Sequence, residues 1–261
     1  MKAAQKAMIY KDIKEVLGST QMLVPMIVVP VVMVVILPLM LLIGAKFGAT
    51  GINGMDQMVK IFGAKIHSQT NAQILIEIGL NYMFPVFFLL IPVMCSSILG
   101  ASSFIGEKER KTMESLLYTP LKIQELFTAK VIGTAIPAYA VTLLSVFVFG
   151  IVMDVGGWFY FHKLIFPNIK WIILIIGVAP AVTLLGINFM VLVSAKANTF
   201  QEAQQMSALI ILPIIFLLIG QMTGLFMLSE VILLIVGAVI YIVDYFLIKN
   251  ATKKFTAEKL V

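Results

Sequence analysis

The side chains best suited to chemistry are few in this chain, and their spacing removes most reaction classes. His67 and His162 are the two histidines and lie far apart. No His-Glu-x-x-His pair, cysteine cluster or Gly-x-Ser-x-Gly turn accompanies them, so neither a metal-activated water nor an activated serine has residues to rest on. The single cysteine, Cys95, reads as a small buried hydrophobe. Gly-x-x-x-x-Gly-Lys-(Ser/Thr), the loop whose amides cradle nucleotide phosphates, is missing as well. The chain is therefore expected not to be catalytic by itself and to bind no metal and no cofactor. If ATP is used, another subunit binds it.

Three polar residues stand inside apolar sequence. Asn81 and Asn188 are candidates for bonding neighbouring helices or for facing a pathway. Asp244 lies near the end of the last apolar run, within reach of Lys249. A carboxylate there is a functional candidate by default, and its place near the interface favours a local ion pair over a proton relay.

The other concentration of chemistry is GEKERKTMESLLYTPLKIQELFTAK, Gly106 to Lys130. Glu107 and Lys111 are spaced i,i+4, as are Arg110 and Glu114, and each such pair supports an exposed helix by about 0.2–0.5 kcal/mol. Met113, Leu116 and Leu117 form an apolar stripe on the other side. Thr119 before Pro120 ends this helix near Tyr118, and the same pair starts the next one, with Thr as N-cap and Pro in the first turn. An amphipathic helix followed by a sharp corner is more than a solvated linker requires, and it predicts a docking surface.

Hydropathy supplies the elements that hold these residues. With 61% hydrophobic and 12% charged residues and a mean hydropathy of +1.04, the chain reads as an all-α polytopic membrane protein. A helical span needs about 20 apolar residues, because backbone groups in the hydrocarbon must be bonded within their own segment. Six spans are predicted, at 22–43, 80–104, 131–153, 171–195, 206–228 and, with Asp244 inside it, 231–248, in a single transmembrane domain covering 1–261. Residues 1–20 are predicted to form a helix on the membrane surface, with Ile9, Ile13, Val16 and Leu17 on its apolar face; a basic flank that only fixes topology is the open alternative. The first span is expected to act as a retained signal-anchor.

Two loops fall on one side, Lys46 to Gly79 and Asp154 to Lys170, the second carrying Trp158, Phe159, Tyr160 and Phe161 for the headgroup level. Gln221, Thr223, Gly224, Ser229 and Glu230 are expected at the mouth between the last two spans, where a re-entrant segment is an open option. Eight of ten prolines lie inside spans and predict kinks. Fourteen Lys and Arg lie on the side of the two termini and five on the other. That bias places both termini, the 106–125 region and the 249–261 tail in the cytoplasm. The net charge of +6 thus reflects topology and anionic lipid, and no nucleic-acid partner is expected.

From Glu107 to Pro120, followed by Glu125-Leu and Lys130, the sequence resembles the signature of permease subunits of type-2 ABC (ATP-binding-cassette) exporters. That signature reads Glu-(Lys/Arg)-Glu-x-(Gly/Lys)-Thr-x-Glu-x-Leu-Leu-x-(Thr/Ser)-Pro and leads to a Lys entering the next span. The matching positions are Glu107, Glu109, Arg110, Thr112, Glu114, Leu116, Leu117, Thr119, Pro120, Glu125 and Lys130, between the second and third of six spans as in that family. Lys111 stands where Gly is common there.

The resemblance implies that 106–125 is a cytoplasmic coupling region. Glu107, Glu109, Arg110, Thr112, Met113, Glu114, Leu116, Leu117, Thr119 and Pro120 would dock an ABC ATP-binding subunit. It further implies two such subunits per complex carrying ATP and Mg, a second permease chain, identical or homologous, with the substrate path between the two, and a prokaryotic plasma membrane as location. Two other readings stay open at this level. One is a self-contained secondary transporter or channel using Asp244, for which inverted repeats and midplane charges are lacking. The other is a non-transporting sensor or immunity subunit on the same fold.

Overall fold

Apolar runs of this length fold as helices because no other open structure meets every backbone donor and acceptor without water. The computed structural model describes residues 3–48, 70–110, 123–223 and 229–254, and no strand occurs among them. An N-terminal helix, Ala3–Gly18, precedes six helices long and apolar enough to cross a membrane: Met22–Phe47, Asn71–Glu109, Glu125–Phe161, Ile169–Ser194, Phe200–Gln221 and Glu230–Lys249.

Several helices outrun the charge-free stretches. The second begins at Asn71, well before Leu80. Its start is set by a reciprocal cap in which Gln73 N donates to Thr70 Oγ1 at 3.4 Å and Thr70 N donates to Gln73 Oε1 at 3.2 Å. The third runs unbroken over Ile123–Phe161, so Trp158 to Phe161 ride on a helical extension instead of a loop. The fifth begins at Phe200, where Thr199 Oγ1 accepts from Glu202 N. Hydrocarbon thickness limits the apolar run, whereas caps decide where the helix stops.

The second span is the core: 78% of its apolar window is buried, against 28%, 22% and 17% for the first, fifth and sixth. It pairs with the fourth, and the third packs across both. The first lies against the second and third, the fifth against the second and fourth, and the sixth against the fourth. Glycines allow the central pair to approach. A Cβ on Gly100 would lie 2.9 Å from Met190 Cβ, and one on Gly186 would overlap Ser96. Toward one end, Trp171 stacks on Phe149 at 4.7 Å and meets Phe88 edge-on at 5.4 Å.

Among the described residues, four wide π turns interrupt the spans, at Val32–Ile36, Gly79–Met83, Ala101–Gly106 and Leu174–Val178. Pro38, Pro85 and Pro180 each follow one of them by two residues, which explains those three: proline lacks an N–H and its ring displaces the carbonyl one turn back. Neighbouring spans supply donors to the loosened carbonyls. Trp171 Nε1 donates to Leu80 O at 3.0 Å, Lys170 Nζ to Asn81 O at 3.2 Å and Tyr139 OH to Ile175 O at 3.0 Å. Pro25, Pro30, Pro137 and Pro213 sit inside continuous α-helix. The turn at Ala101–Gly106 has no proline near it, and it leads directly into Glu107.

Candidate functional site

The wide turn at Ala101–Gly106 is buried throughout and delivers Glu107 inward. Glu107 Oε2 accepts from Lys130 Nζ, and Oε1 accepts from Lys11 Nζ at 2.8 Å. Lys130 also donates to the carbonyl of Ser103, within the wide turn. A buried carboxylate and a buried ammonium are tolerated here because each meets an opposite charge and further hydrogen bonds. Three residues on, Arg110 Nη1 donates to Glu15 Oε1 at 2.7 Å. The second span is thereby tied to the third span and to the N-terminal helix at a single place.

The N-terminal helix lies against the start of the third span. Gly133 leaves room for it: a Cβ there would sit 3.2 Å from Asp12 Oδ2 and 3.4 Å from Ile9 Cα. Met8 packs with Leu126 and Ala129. The stripe turned to the protein is Met8, Asp12 and Val16, while Ile9 and Ile13 are half-buried and Leu17 is 66% exposed. Of the expected apolar face Ile9, Ile13, Val16 and Leu17, only Val16 lies in this protein-facing stripe, and Asp12 is turned inward with it. Asp12 Oδ2 is buried with no hydrogen-bond partner. Burial pushes the Asp12 carboxyl up to about 6; Lys130 and Lys11 oppose the rise, and Glu107 and Glu15 add to it. Burial also pulls the Lys11 ammonium down, but the Glu107 hydrogen bond and charge, with Asp12 and Glu15 behind them, leave it above its ordinary value.

On the other side of the same segment, Glu109 Oε2 accepts from Phe200 N at 2.9 Å. The carboxylate caps the first turn of the fifth span, where amides lack helical partners and the dipole favours negative charge. Ser19, Met22, Glu109, Arg110, Thr199 and Gln201 line a cavity of about 420 Å³ between the starts of the first and fifth spans and the end of the second.

Of the ten residues expected to dock a partner, Glu107, Glu109 and Arg110 are described, and all three are engaged within this chain. Thr112, Met113, Glu114, Leu116, Leu117, Thr119 and Pro120 lie outside the described residues. Sequence reasoning passed over Lys11, Asp12 and Glu15. The available signal was Asp12 at helical spacing between Met8 and Val16, a carboxylate breaking an apolar stripe.

The isolated polar residues tie helices together. Asn81 Oδ1 accepts from Asn168 Nδ2 at 2.6 Å, and Asn168 Oδ1 caps the fourth span by accepting from Trp171 N at 3.2 Å. Asn188 Nδ2 donates to Asp244 Oδ1 at 2.9 Å. The partner of Asp244 is therefore Asn188 and not Lys249, whose ammonium lies 5.9 Å from the Tyr245 ring centre.

A family model for the ABC-2 family transporter protein matches residues 7–232. The chain belongs to the ABC-2 transporter family. No curated protein and no solved structure gives a significant match. As an ABC-2 permease it is a multi-pass membrane transport subunit that is not itself a catalyst, and membership implies association with an ATP-binding subunit. The matched region contains every residue of the Lys11, Asp12, Glu15, Glu107, Arg110 and Lys130 network, so this charged joint belongs to the family domain of the permease.

Proposed function

We propose that this permease is the membrane half of an ATP-driven exporter. In this reading the end carrying the N-terminal helix faces the cytoplasm of a prokaryotic cell. Two permease chains enclose the substrate path, and two ATP-binding subunits holding ATP and Mg dock on the 106–125 region through the Met113, Leu116 and Leu117 stripe. The observation that carries the proposal is the convergence on Glu107 to Arg110 of the N-terminal helix and of the second, third and fifth spans. A loop that passes a force from a motor into a bundle needs a stiff base tied to several helices, and this segment has one.

ATP binding closes the partner subunits and moves the loop with them. Its base then transmits the movement at once to the central second span, to the third through Lys130 and to the fifth through Phe200. The exposed Tyr10 and Leu17 of the N-terminal helix would rest at the lipid surface.

Co-expression with the ATP-binding subunit tests the proposal. The two chains are expected to co-purify in equal amounts, and Glu114→Lys should weaken that association about tenfold, the effect of losing roughly 1.4 kcal/mol, while membrane insertion is unchanged. Substrate transport by the purified permease without ATP or partner would overturn it in favour of a self-contained transporter. Association without any substrate movement would instead mark a sensor or immunity subunit.

A further inference from the structure

Asn188 and Asp244 form a buried joint between the fourth and sixth spans, and its bonding is half complete. Asn188 Nδ2 donates to Asp244 Oδ1 at 2.9 Å, while Asn188 Oδ1 and Asp244 Oδ2 are buried without a partner. Relative exposures of 0% and 2% exclude water as the default partner of either side chain. Both orphaned atoms are acceptors when the acid is ionised, so no rotation of the two groups can pair them.

The surroundings offer no compensating charge. Asp244 makes no ion pair among the described residues. On its own helix the nearby titratable groups are Tyr241 and Lys249, the latter set over the Tyr245 ring. On the fourth span the facing polar group is Asn188 itself, flanked by Ile187 and Val191 in an apolar cluster that includes Val131 of the third span and Ile248 of the sixth. On the third span, the Tyr139 hydroxyl donates to Ile175 O, and Lys130 is held by Glu107 and Ser103.

We propose that Asp244 is a proton-binding site of the permease, held as a neutral acid against Asn188. A proton on Oδ2 forms an O–H that donates to Asn188 Oδ1. Planar amide and carboxyl groups then close a ring of two hydrogen bonds, both orphaned atoms are met, and the buried charge is removed. Release of the proton restores a carboxylate in an apolar joint and loosens the sixth span from the fourth. The inference goes beyond the transport reading and does not depend on it.

Infrared difference spectroscopy of the purified permease in lipid nanodiscs reads the proton directly. The wild type is expected to show a protonated-carboxyl C=O band at neutral pH that shifts in D₂O and disappears in Asp244→Asn. That variant should keep the wild-type thermal midpoint, since two amides close the same ring, whereas Asp244→Ala should unfold at a lower temperature. The exchanged double variant Asp244→Asn/Asn188→Asp should keep both fold and band. The proposal is overturned if the wild type shows no band that Asp244→Asn removes. It is equally overturned if the band vanishes on adding sodium ions alone, which would make the pair a cation site.

Discussion

Lys130 is 1% exposed, and an ammonium so buried survives only where its charge and its donors are met. Glu107 and the Ser103 carbonyl meet them. Lys130→Met would strand the Glu107 carboxylate on that side, and removing one partner of a buried pair costs about 3–5 kcal/mol. The double variant Lys130→Met/Glu107→Gln should recover part of the loss, because no unpaired buried charge is left between the two positions and Lys11, with its side chain 49% exposed, keeps water as a partner; unfolding midpoints in detergent decide this, and additive losses would refute the pairing. Asp12 gives the opposite sign. Its carboxyl stands at about 6 in the folded chain against an ordinary 3.8, so the folded state binds the proton more tightly. That stabilising contribution is full below the ordinary value and is lost as pH rises through about 6. Asp12→Asn should therefore stabilise the permease by about 1–3 kcal/mol at roughly pH 8, with the gain shrinking toward about pH 5. Thermal unfolding of both proteins at the two pH values would show it, and a gain independent of pH would contradict it.

The wide turns make the same point one level up. In the second and fourth spans they open carbonyls that Trp171, Lys170 and Tyr139 use as anchors, so a proline placed inside a span also creates a docking point for its neighbour; Lys130 uses the proline-free turn in the same way through Ser103 O. Trp171→Phe keeps a ring beside Phe149 and Phe88 but leaves the buried Leu80 carbonyl without its indole donor. A loss of about 1–3 kcal/mol is expected, measurable as a lower unfolding midpoint; an unchanged midpoint would mean that the carbonyl is met in another way. Six helices long enough to cross are legible in five charge-free runs and a sixth interrupted only by Asp244, because hydrocarbon tolerates little else. Helix ends are less legible, since Glu77 and Asp154 sit inside helices that the charge rule trims. The Thr70 and Gln73 cap was readable, but hydropathy hides it. Long-range partners are not legible at all: nothing local to Lys11 or Lys130 says that 96 or 23 residues separate each from the same Glu107, and Asn188 and Asp244 carry no mark of each other.

For the whole molecule the open issue is whether Arg110 acts inward on this chain or outward on the ATP-binding subunit. Its side chain is 60% exposed and pairs with Glu15, 28% exposed, and pairs this wet contribute about 0.2–1 kcal/mol. Breaking the pair should hardly change stability, yet it would free the N-terminal helix from the loop base through which the proposed motor acts. Arg110→Glu is accordingly expected to leave the unfolding midpoint within that small margin while lowering transport and substrate-stimulated ATP hydrolysis in the assembled complex. The swap Arg110→Glu/Glu15→Arg rebuilds the same contact with charges reversed. If the contact between loop base and N-terminal helix is what matters, the swap restores both activities, because the geometry of the tie is kept. If Arg110 instead touches the partner subunit, the swap still presents the wrong charge to it and stays as impaired as the single variant. Arg110 would then belong to the docking face despite its bond to Glu15, and the tie would carry no part of the coupling.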